Sequence, residues 1–332
     1  MVISRTPFRI SFFGGGTDYP LWYKENYGAV LATSINKYCY ISCRCLPPFF
    51  EHKSRIIYSK IELIKNIEQI EHPSVRECLR FMKINKGVEI HHEADLPARA
   101  GMGSSSTFTV GMLHALYALK GIMPTKRQLA TDAIHIEQEI LKENVGSQDQ
   151  ILAAFGGFNL IEFGGINGFK ARAITVNPAR LKKFQDHLML FFTGLSRTAS
   201  QVTAEQIKAI PKRKKELHLM LEMLNEALKI INSNCRLSVF GKLLHENWRL
   251  KRTLSSKIST PLIDEIYSTG IKAGALGGKL LGAGGGGFVL FFAEPAAHKK
   301  IKEKLKKFLY VPFRFENSGS QIIFYSQNDA IS

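Results

Sequence analysis

Hydrophobic and polar positions change period several times along the chain, and each change marks an element. Pro7 to Phe13 is an apolar run that stops at Gly14-Gly15-Gly16-Thr17-Asp18-Tyr19-Pro20. The run reads as a strand and the glycines as the turn that ends it. Ala29 to Leu46 is strand-like around a polar cluster, Ser34-Ile35-Asn36-Lys37-Tyr38. Ile56 to Tyr58 and Val88 to His92 are further strands, and Glu62 to Lys83 between them reads as mostly helical, interrupted at His72-Pro73. From Thr107 to Leu119 the period lengthens, with Val110, Leu113, Leu116 and Tyr117 at helical spacing. A second helix is predicted over Thr125 to Glu143, opened by a capping box of Thr125 and Gln128. Its apolar stripe is Leu129, Ala133, Ile136 and Ile140. Gly146 is a candidate left-handed terminator.

Beyond it, Gly156 to Phe163 and Ala171 to Val176 read as paired strands across the turn Gly164-Gly165-Ile166-Asn167-Gly168. His187 to Phe192 is a buried strand ending in Thr193-Gly194-Leu195-Ser196-Arg197, and basic amphipathic helices follow to about Leu254. Pro261 to Ala275 is helical, and a glycine loop over residues 282–287 precedes a strand, Phe288 to Phe292. The change of character near Asn177-Pro178 puts a domain boundary near residue 180, giving domains 1–180 and 181–332.

Composition narrows the class. The 332 residues are 45% hydrophobic, enough for a large core and for two domains. Five cysteines with no C-x-x-C spacing, and an N-terminus without a signal-peptide layout, suggest a reduced, cytoplasmic protein. Cys43 and Cys45 share a strand face and pack rather than chelate. The longest apolar stretch, Leu280 to Ala293, is too short and glycine-rich to span a membrane. The formal charge of +17 permits nucleic-acid binding and equally suits an enzyme with phosphorylated substrates. The basic residues are scattered, and the runs Lys212–Lys215 and Lys299–Lys307 lie on predicted helices. In the second run Ile301, Leu305 and Phe308 form an apolar stripe, so its lysines are a solvated face and no nucleic-acid partner is expected.

Four stretches carry chemistry. Asp95 to Ser106 reads D-L-P-A-R-A-G-M-G-S-S-S and runs directly into a helix. Gly101 and Gly103 let a ligand approach the main chain, and the serines stand where a helix begins, suited to capping it. Such a turn presents free N–H groups and a positive dipole end to an anion, most often phosphate, and the serine hydroxyls can add phosphate or Mg²⁺ contacts. It is no Walker loop: Lys is absent, and Gly278-Lys279 is followed by Leu280. Glu137 borders its helix's apolar stripe and faces the interior or a cleft, where a carboxylate needs a partner or a metal. Asp149 stands between Gln148 and Gln150, just past that helix. The stretch Gly282-Ala283-Gly284-Gly285-Gly286-Gly287 follows a helical segment and precedes a strand, the reverse of a dinucleotide fingerprint. The neighbouring His91 and His92 point to opposite strand faces, which favours a structural role.

In this order the stretches resemble the GHMP kinases, the superfamily of galactokinase and the homoserine, mevalonate and phosphomevalonate kinases. Pro97, Gly101, Gly103, Ser104 and Ser105 match the central phosphate loop, with Met102 for the usual Leu. Gly14 to Tyr19 resembles the Gly-x-x-Thr-Asp-Tyr turn of the sugar kinases, and Gly146 to Asp149 a Gly-x-x-Asp element with Glu137 about three turns earlier. The resemblance covers nearly the whole chain. It implies an α+β fold: an N-terminal mixed α/β domain with a ribosomal S5-like layer, a C-terminal ferredoxin-like domain, and an active site in the cleft between them. ATP's phosphates would rest on Pro97, Gly101, Met102, Gly103, Ser104, Ser105 and Ser106. Mg²⁺ would be held by Ser104 or Ser105 with Glu137, and Asp149 would orient and deprotonate the acceptor hydroxyl. Asp18, with Gly15, Gly16, Thr17 and Tyr19, would bind the sugar, and Gly284 and Gly285 would close over it. Gly15 and Gly16 replace a bulkier pair of the galactokinases and open the pocket.

Within the superfamily these motifs are similar to those of the D-glycero-D-manno-heptose 7-phosphate kinases. That implies transfer to the anomeric C1 hydroxyl, giving the 1,7-bisphosphate on the way to GDP-activated heptose for surface polysaccharide. The acceptor's phosphate needs cations, for which Arg9, Lys37, Arg99 and Arg197 are candidates. The expected partner is a small-molecule sugar phosphate, and the protein a monomer or homodimer. Two alternatives remain: a kinase of this fold for another sugar such as fucose or galactose, and a non-catalytic ATP- and sugar-binding sensor. The presence of both Glu137 and Asp149 argues against the sensor.

Overall fold

Two sheets organise the chain. The computed structural model describes residues 1–165, 168–195 and 199–326. The first sheet opens with β1 (Val2–Phe13) and, after the helical turn α1 (Pro20–Tyr23), its long central strand β2 (Gly28–Cys45). Next come β3 (Ser54–Ile57), β4 (Ile61–Ile64), α2 (Pro73–Phe81) and β5 (Val88–Ala94). Helices α3 (Ser104–Leu119), α4 (Lys126–His135) and α5 (Gln148–Phe155) precede β6 (Phe158–Phe163) and β7 (Phe169–Ala173). β2 pairs antiparallel with β1, β5 and β6, whereas β3 runs parallel to β5, so the sheet is mixed. α3 packs on β1 and β2 and under α2, α4 and α5. That placement explains why it is buried nearly all round, from Ser106 to Leu113.

The second sheet begins after α6 (Pro178–Asp186) with β8 (Leu188–Phe192). Helices α7 (Ala199–Ala209), α8 (Lys214–Asn232), α9 (Ser238–Arg252) and α10 (Pro261–Lys272) lead to the hairpin of β9 (Ala275–Leu280) and β10 (Phe288–Ala293). Then come α11 (His298–Lys304) and β11 (Leu309–Tyr310). The order β11-β8-β10-β9, all antiparallel, is that of a ferredoxin-like layer. The chain then returns to the first sheet, where β12 (Phe315–Glu316) pairs with β2 and β13 (Gln321–Tyr325) with β1. A division near residue 180 thus separates the two sheets apart from this return.

One aromatic cluster joins the sheets. Phe12 of β1, Phe184 of α6, Phe240 of α9 and Phe292 of β10 are all fully buried. Ring centroids are 5.6 Å apart for Phe12–Phe184, 4.7 Å for Phe184–Phe240 and 5.3 Å for Phe240–Phe292. Mostly edge-to-face contacts of this kind add about 0.5–1.5 kcal/mol each beyond area burial.

Several sequence expectations need correction. Ile61–Ile64 is a strand, not the start of a helix, with alternating exposed and buried positions. Ala275–Leu280 is also a strand, so the glycine loop joins two strands instead of following a helix. β7 lies two to three residues earlier than expected. The helix predicted to Glu143 changes at Ile136 to a π-helical turn ending at Ile140. Its capping box is half formed: the Gln128 N–H donates to Thr125, but the Gln128 side chain turns to Asp132. The left-handed residue that ends this segment is Lys142, at φ +53°, and not Gly146. The five cysteines are all free thiols. Among the described residues, no helix is long and apolar enough to cross a membrane.

Candidate active site

The phosphate-loop candidate runs from the end of β5 to α3. Gly101 and Gly103 take φ +75° and +79°, the left-handed region that glycine enters freely. Gly103, not a serine, holds the N-cap position of α3. Ser104, Ser105 and Ser106 therefore line the first turn, where N–H groups lack intrahelical acceptors and the dipole is positive. Met102 is wholly buried, so its side chain serves the core. Pro97 and Arg99 are exposed at the rim, Arg99 with φ +59°.

Asp149 lies in the first turn of α5. Arg9 of β1 grips it with both arms, Nε to Oδ1 at 2.6 Å and Nη2 to Oδ2 at 2.7 Å. The same guanidinium donates through Nη1 to the Gly101 carbonyl at 2.7 Å. It thus ties the carboxylate to the loop, in the bidentate geometry that holds a carboxylate best. A Cβ placed on Gly103 would lie 3.2 Å from Asp149 Oδ2, so the carboxylate packs directly on the loop. Arg9, a sequence candidate for the acceptor's phosphate, is spent on Asp149 and Gly101. Lys37 is half-buried in the irregular part of β2, and Arg197 lies outside the described residues.

The turn after β1 interlocks with the turn before α5. Asp18 accepts from the Gly16 N–H and from Gln148 Nε2, both at 2.9 Å, and its carbonyl accepts from the Ser147 N–H at 2.9 Å. A Cβ on Gly146 would lie 2.0 Å from Asp18 Oδ2, which is the physical reason for glycine there. Burial raises the Asp18 carboxyl above its usual range; the Gly16 N–H opposes this and the Asp149 charge adds to it. Thr17 and Tyr19 turn their side chains into the protein. The Thr17 hydroxyl is fully buried and bridges Gly14 and Ala29, pinning the turn to β2. Tyr19 is buried near Thr203 of α7, and burial raises its hydroxyl. Gly15 faces Gln148 and Lys251, each 3.9 Å from where its Cβ would stand.

Glu137 sits in the π-helical turn and is completely buried. Its Oε2 accepts from Ser106 Oγ at 2.7 Å and from Gln150. Burial pushes its carboxyl up to about 7, with the hydroxyls of Ser106 and Thr109 pulling the other way. Glu137 Oε1 and Ser104 Oγ are buried with no partner. Two orphaned oxygens on facing elements suit a hard cation. Ser105 is exposed and turned toward Glu143. The folded Glu137 keeps its proton until about pH 7, whereas an unfolded Glu releases it near 4.5. The folded state therefore binds more protons across that window, and stability falls as pH rises through it, by about 3 kcal/mol in all. Calorimetry on metal-free protein should find this fall flattened in Glu137→Gln; an identical pH dependence in both proteins would contradict the assignment.

The glycine loop between β9 and β10 meets the phosphate loop. A Cβ on Gly101 would lie 2.4 Å from the Leu281 carbonyl oxygen, and one on Gly282 would lie 2.5 Å from Gly101 Cα. Gly284 and Gly285 pack instead on the turn at Ile258, whose carbonyl takes the Gly285 N–H at 3.0 Å. Two buried lysines, neither a site candidate from the sequence, lie behind. Lys251 donates to the Gly282 carbonyl and Lys279 to the Phe12 carbonyl, each at 3.0 Å.

Two family models match the chain, one to each half. Residues 58–157 match the GHMP kinases N terminal domain, and residues 225–311 match the GHMP kinases C terminal. The chain belongs to the GHMP kinases. It is therefore a phosphotransferase acting on a hydroxyl group. It is 29% identical over 328 residues to the D-glycero-alpha-D-manno-heptose 7-phosphate kinase of Campylobacter jejuni subsp. jejuni, covering 92% of this chain and 93% of that enzyme. The L-fucokinase/L-fucose-1-P guanylyltransferase of Bacteroides fragilis is 29% identical over 242 residues, 71% of this chain and 25% of that one. Among solved structures, a D-glycero-D-manno-heptose 1-phosphate kinase from Bacteroides thetaiotaomicron superposes with a TM-score of 0.73 at 24% identity, covering 98% of this chain and all of that one.

Proposed function

We propose that this GHMP kinase transfers the γ-phosphoryl group of ATP to the anomeric C1 hydroxyl of a heptose 7-phosphate, a step toward nucleotide-activated heptose. The observation that carries the reading is the packing of the Asp149 carboxylate on the Gly101–Gly103 loop, beside the buried carboxylate of Asp18. It sets a base for the acceptor hydroxyl next to a cradle for phosphate. The similarity to the Campylobacter heptose 7-phosphate kinase along the full length supports the sugar.

In this reading, residues 1–180 and 181–332 are the working halves, with 315–325 returning to the first. The backbone of Gly101 to Ser105 and the α3 dipole bind the nucleotide phosphates. Ser104 and Glu137 would hold Mg²⁺, which when bound neutralises phosphate charge. Asp18 and the open Gly15-Gly16 backbone hold the sugar hydroxyls. Asp149 takes the proton of the C1 hydroxyl as that oxygen bonds to phosphorus, the bond to the β-phosphate oxygen breaks, and ADP leaves. Arg9 keeps the base in place. Lys37, Arg99 and Arg197 remain for the acceptor's own phosphate.

ADP release should be measured with Mg-ATP and, separately, heptose 7-phosphate, mannose, galactose and fucose. Turnover on the heptose phosphate alone is the expected result. Turnover on a neutral sugar would overturn the choice of acceptor, and silence with retained ATP binding would favour a sensor.

A further inference from the structure

Lys251 reaches the cleft from α9 of the second domain and is nine-tenths buried. Its Nζ donates to the carbonyl of Gly282, the residue packed against Gly101. Arg9, from the first domain, donates to the carbonyl of Gly101 itself. The two glycines at the contact between the loops are therefore each held by a cation, one from each domain. Lys251 also stands beside Gly15 and Gln148 and in the field of Asp18 and Asp149. An ammonium has three protons to donate, and among the described residues Gly282 is its sole hydrogen-bond partner. Holding a buried ammonium with donors unfilled is costly, and an anion arriving in the cleft would complete it.

We propose that Lys251 is a catalytic residue of the transfer, contacting the oxygens of the phosphoryl group across from Arg9 as that group passes from nucleotide to sugar. The inference rests on the phosphotransfer reading above but not on which sugar accepts. Lys251 keeps its protons throughout and supplies charge where the transferring group carries it.

The competing explanation is a pin between α9 and the glycine loop. The two differ in their pH behaviour. The charged groups around Lys251 are Arg9 on β1, Asp18 in the following turn, Asp149 on α5 and Lys279 on β9. Burial brings Lys251 down to about 8, with Asp18 opposing. Its charge is present below that pH and lost above it, so kcat/KM, which reports the free enzyme, should fall as pH rises through about 8. In Lys251→Arg the guanidinium stays charged, and the fall should vanish.

The test measures kcat and KM from neutral to alkaline pH for wild type, Lys251→Met and Lys251→Arg, with thermal melts as a control. Lys251→Met should lose on the order of 10²–10³ in kcat, with little change in KM for ATP. A mere pin would also lose its hydrogen bond to Gly282 in Lys251→Met, so the alkaline limb separates the two: a neutral amine still donates to that carbonyl and would hold the pin above about pH 8. Wild-type kcat in Lys251→Met, or an alkaline fall that persists in Lys251→Arg, overturns the proposal. If Lys251→Met does not fold, the alkaline limb of Lys251→Arg alone decides. If wild type turns over no acceptor, the functional reading has failed separately. Lys251 is then judged on binding of ADP with aluminium fluoride, a mimic of the group in transfer, to wild type and Lys251→Arg at alkaline pH. Binding that weakens through about pH 8 in wild type alone supports the role, and parallel behaviour overturns it.

Discussion

Asp149→Asn should lower kcat by about 10²–10⁴ while leaving ATP binding and the melting temperature close to wild type. The carboxylate is held by both arms of Arg9 and packs on Gly103, so its position is set before substrate arrives. Asn keeps the volume but cannot take the acceptor's proton. It also turns one N–H₂ toward a guanidinium that has only donors to offer, so part of the bidentate grip is lost. Arg9 still has the Gly101 carbonyl as a partner, which limits damage to the fold. Steady-state turnover and nucleotide titration on the same preparation separate the two effects. Near-wild-type turnover in Asp149→Asn would remove Asp149 from the reaction.

Gly101→Ala should cost the protein about 1–3 kcal/mol from strain and overpacking, and its activity at least about a hundredfold. Two independent features forbid a side chain at this position. The backbone is in the left-handed region at φ +75°, and the added carbon would sit 2.4 Å from the Leu281 carbonyl oxygen. That oxygen belongs to main chain already held by β10, through the Leu281 N–H to the Phe288 carbonyl, and cannot rotate aside. Relief requires the glycine loop to move off the phosphate loop, and a displacement near 1 Å at a reacting centre can cost 10²-fold. Denaturant unfolding and kcat measure the two losses. Wild-type values for both would mean the two loops do not touch as described.

The sequence was most legible where burial is two-sided or periodic. β2 and α3 follow their apolar runs closely, and β1 ends with its run at Phe13 but begins five residues before it, at Val2. β9 was hidden because A-L-G-G-K-L looks like a turn with a lysine. Its glycines serve close approach instead: a Cβ on Gly277 would lie 1.9 Å from the Gly241 carbonyl of α9, and one on Gly278 would lie 2.3 Å from the Leu290 carbonyl. Propensity there yields to packing. In the candidate site, motifs single out Asp18, Glu137 and Asp149, but not the pairings these residues make. Arg9 meets Asp149 across 140 positions, a contact no local spacing announces. Ser106, and not Ser104 or Ser105, bonds Glu137, which lies in a π-helical turn that the apolar spacing does not announce. Lys251 was missed for a related reason. On a basic amphipathic helix a lysine reads as solvated, and its burial beside Gly15 and Gly282 is set by parts of the chain distant in sequence.

Phosphorus NMR of the product formed from Mg-ATP and heptose 7-phosphate tests the central claim most directly. Transfer at the anomeric position predicts a second phosphorus signal coupled to the C1 proton, appearing in step with ADP and slowed about 10²–10⁴-fold with Asp149→Asn. A new phosphate on any other carbon, or ADP formed without a second sugar phosphate, would contradict it.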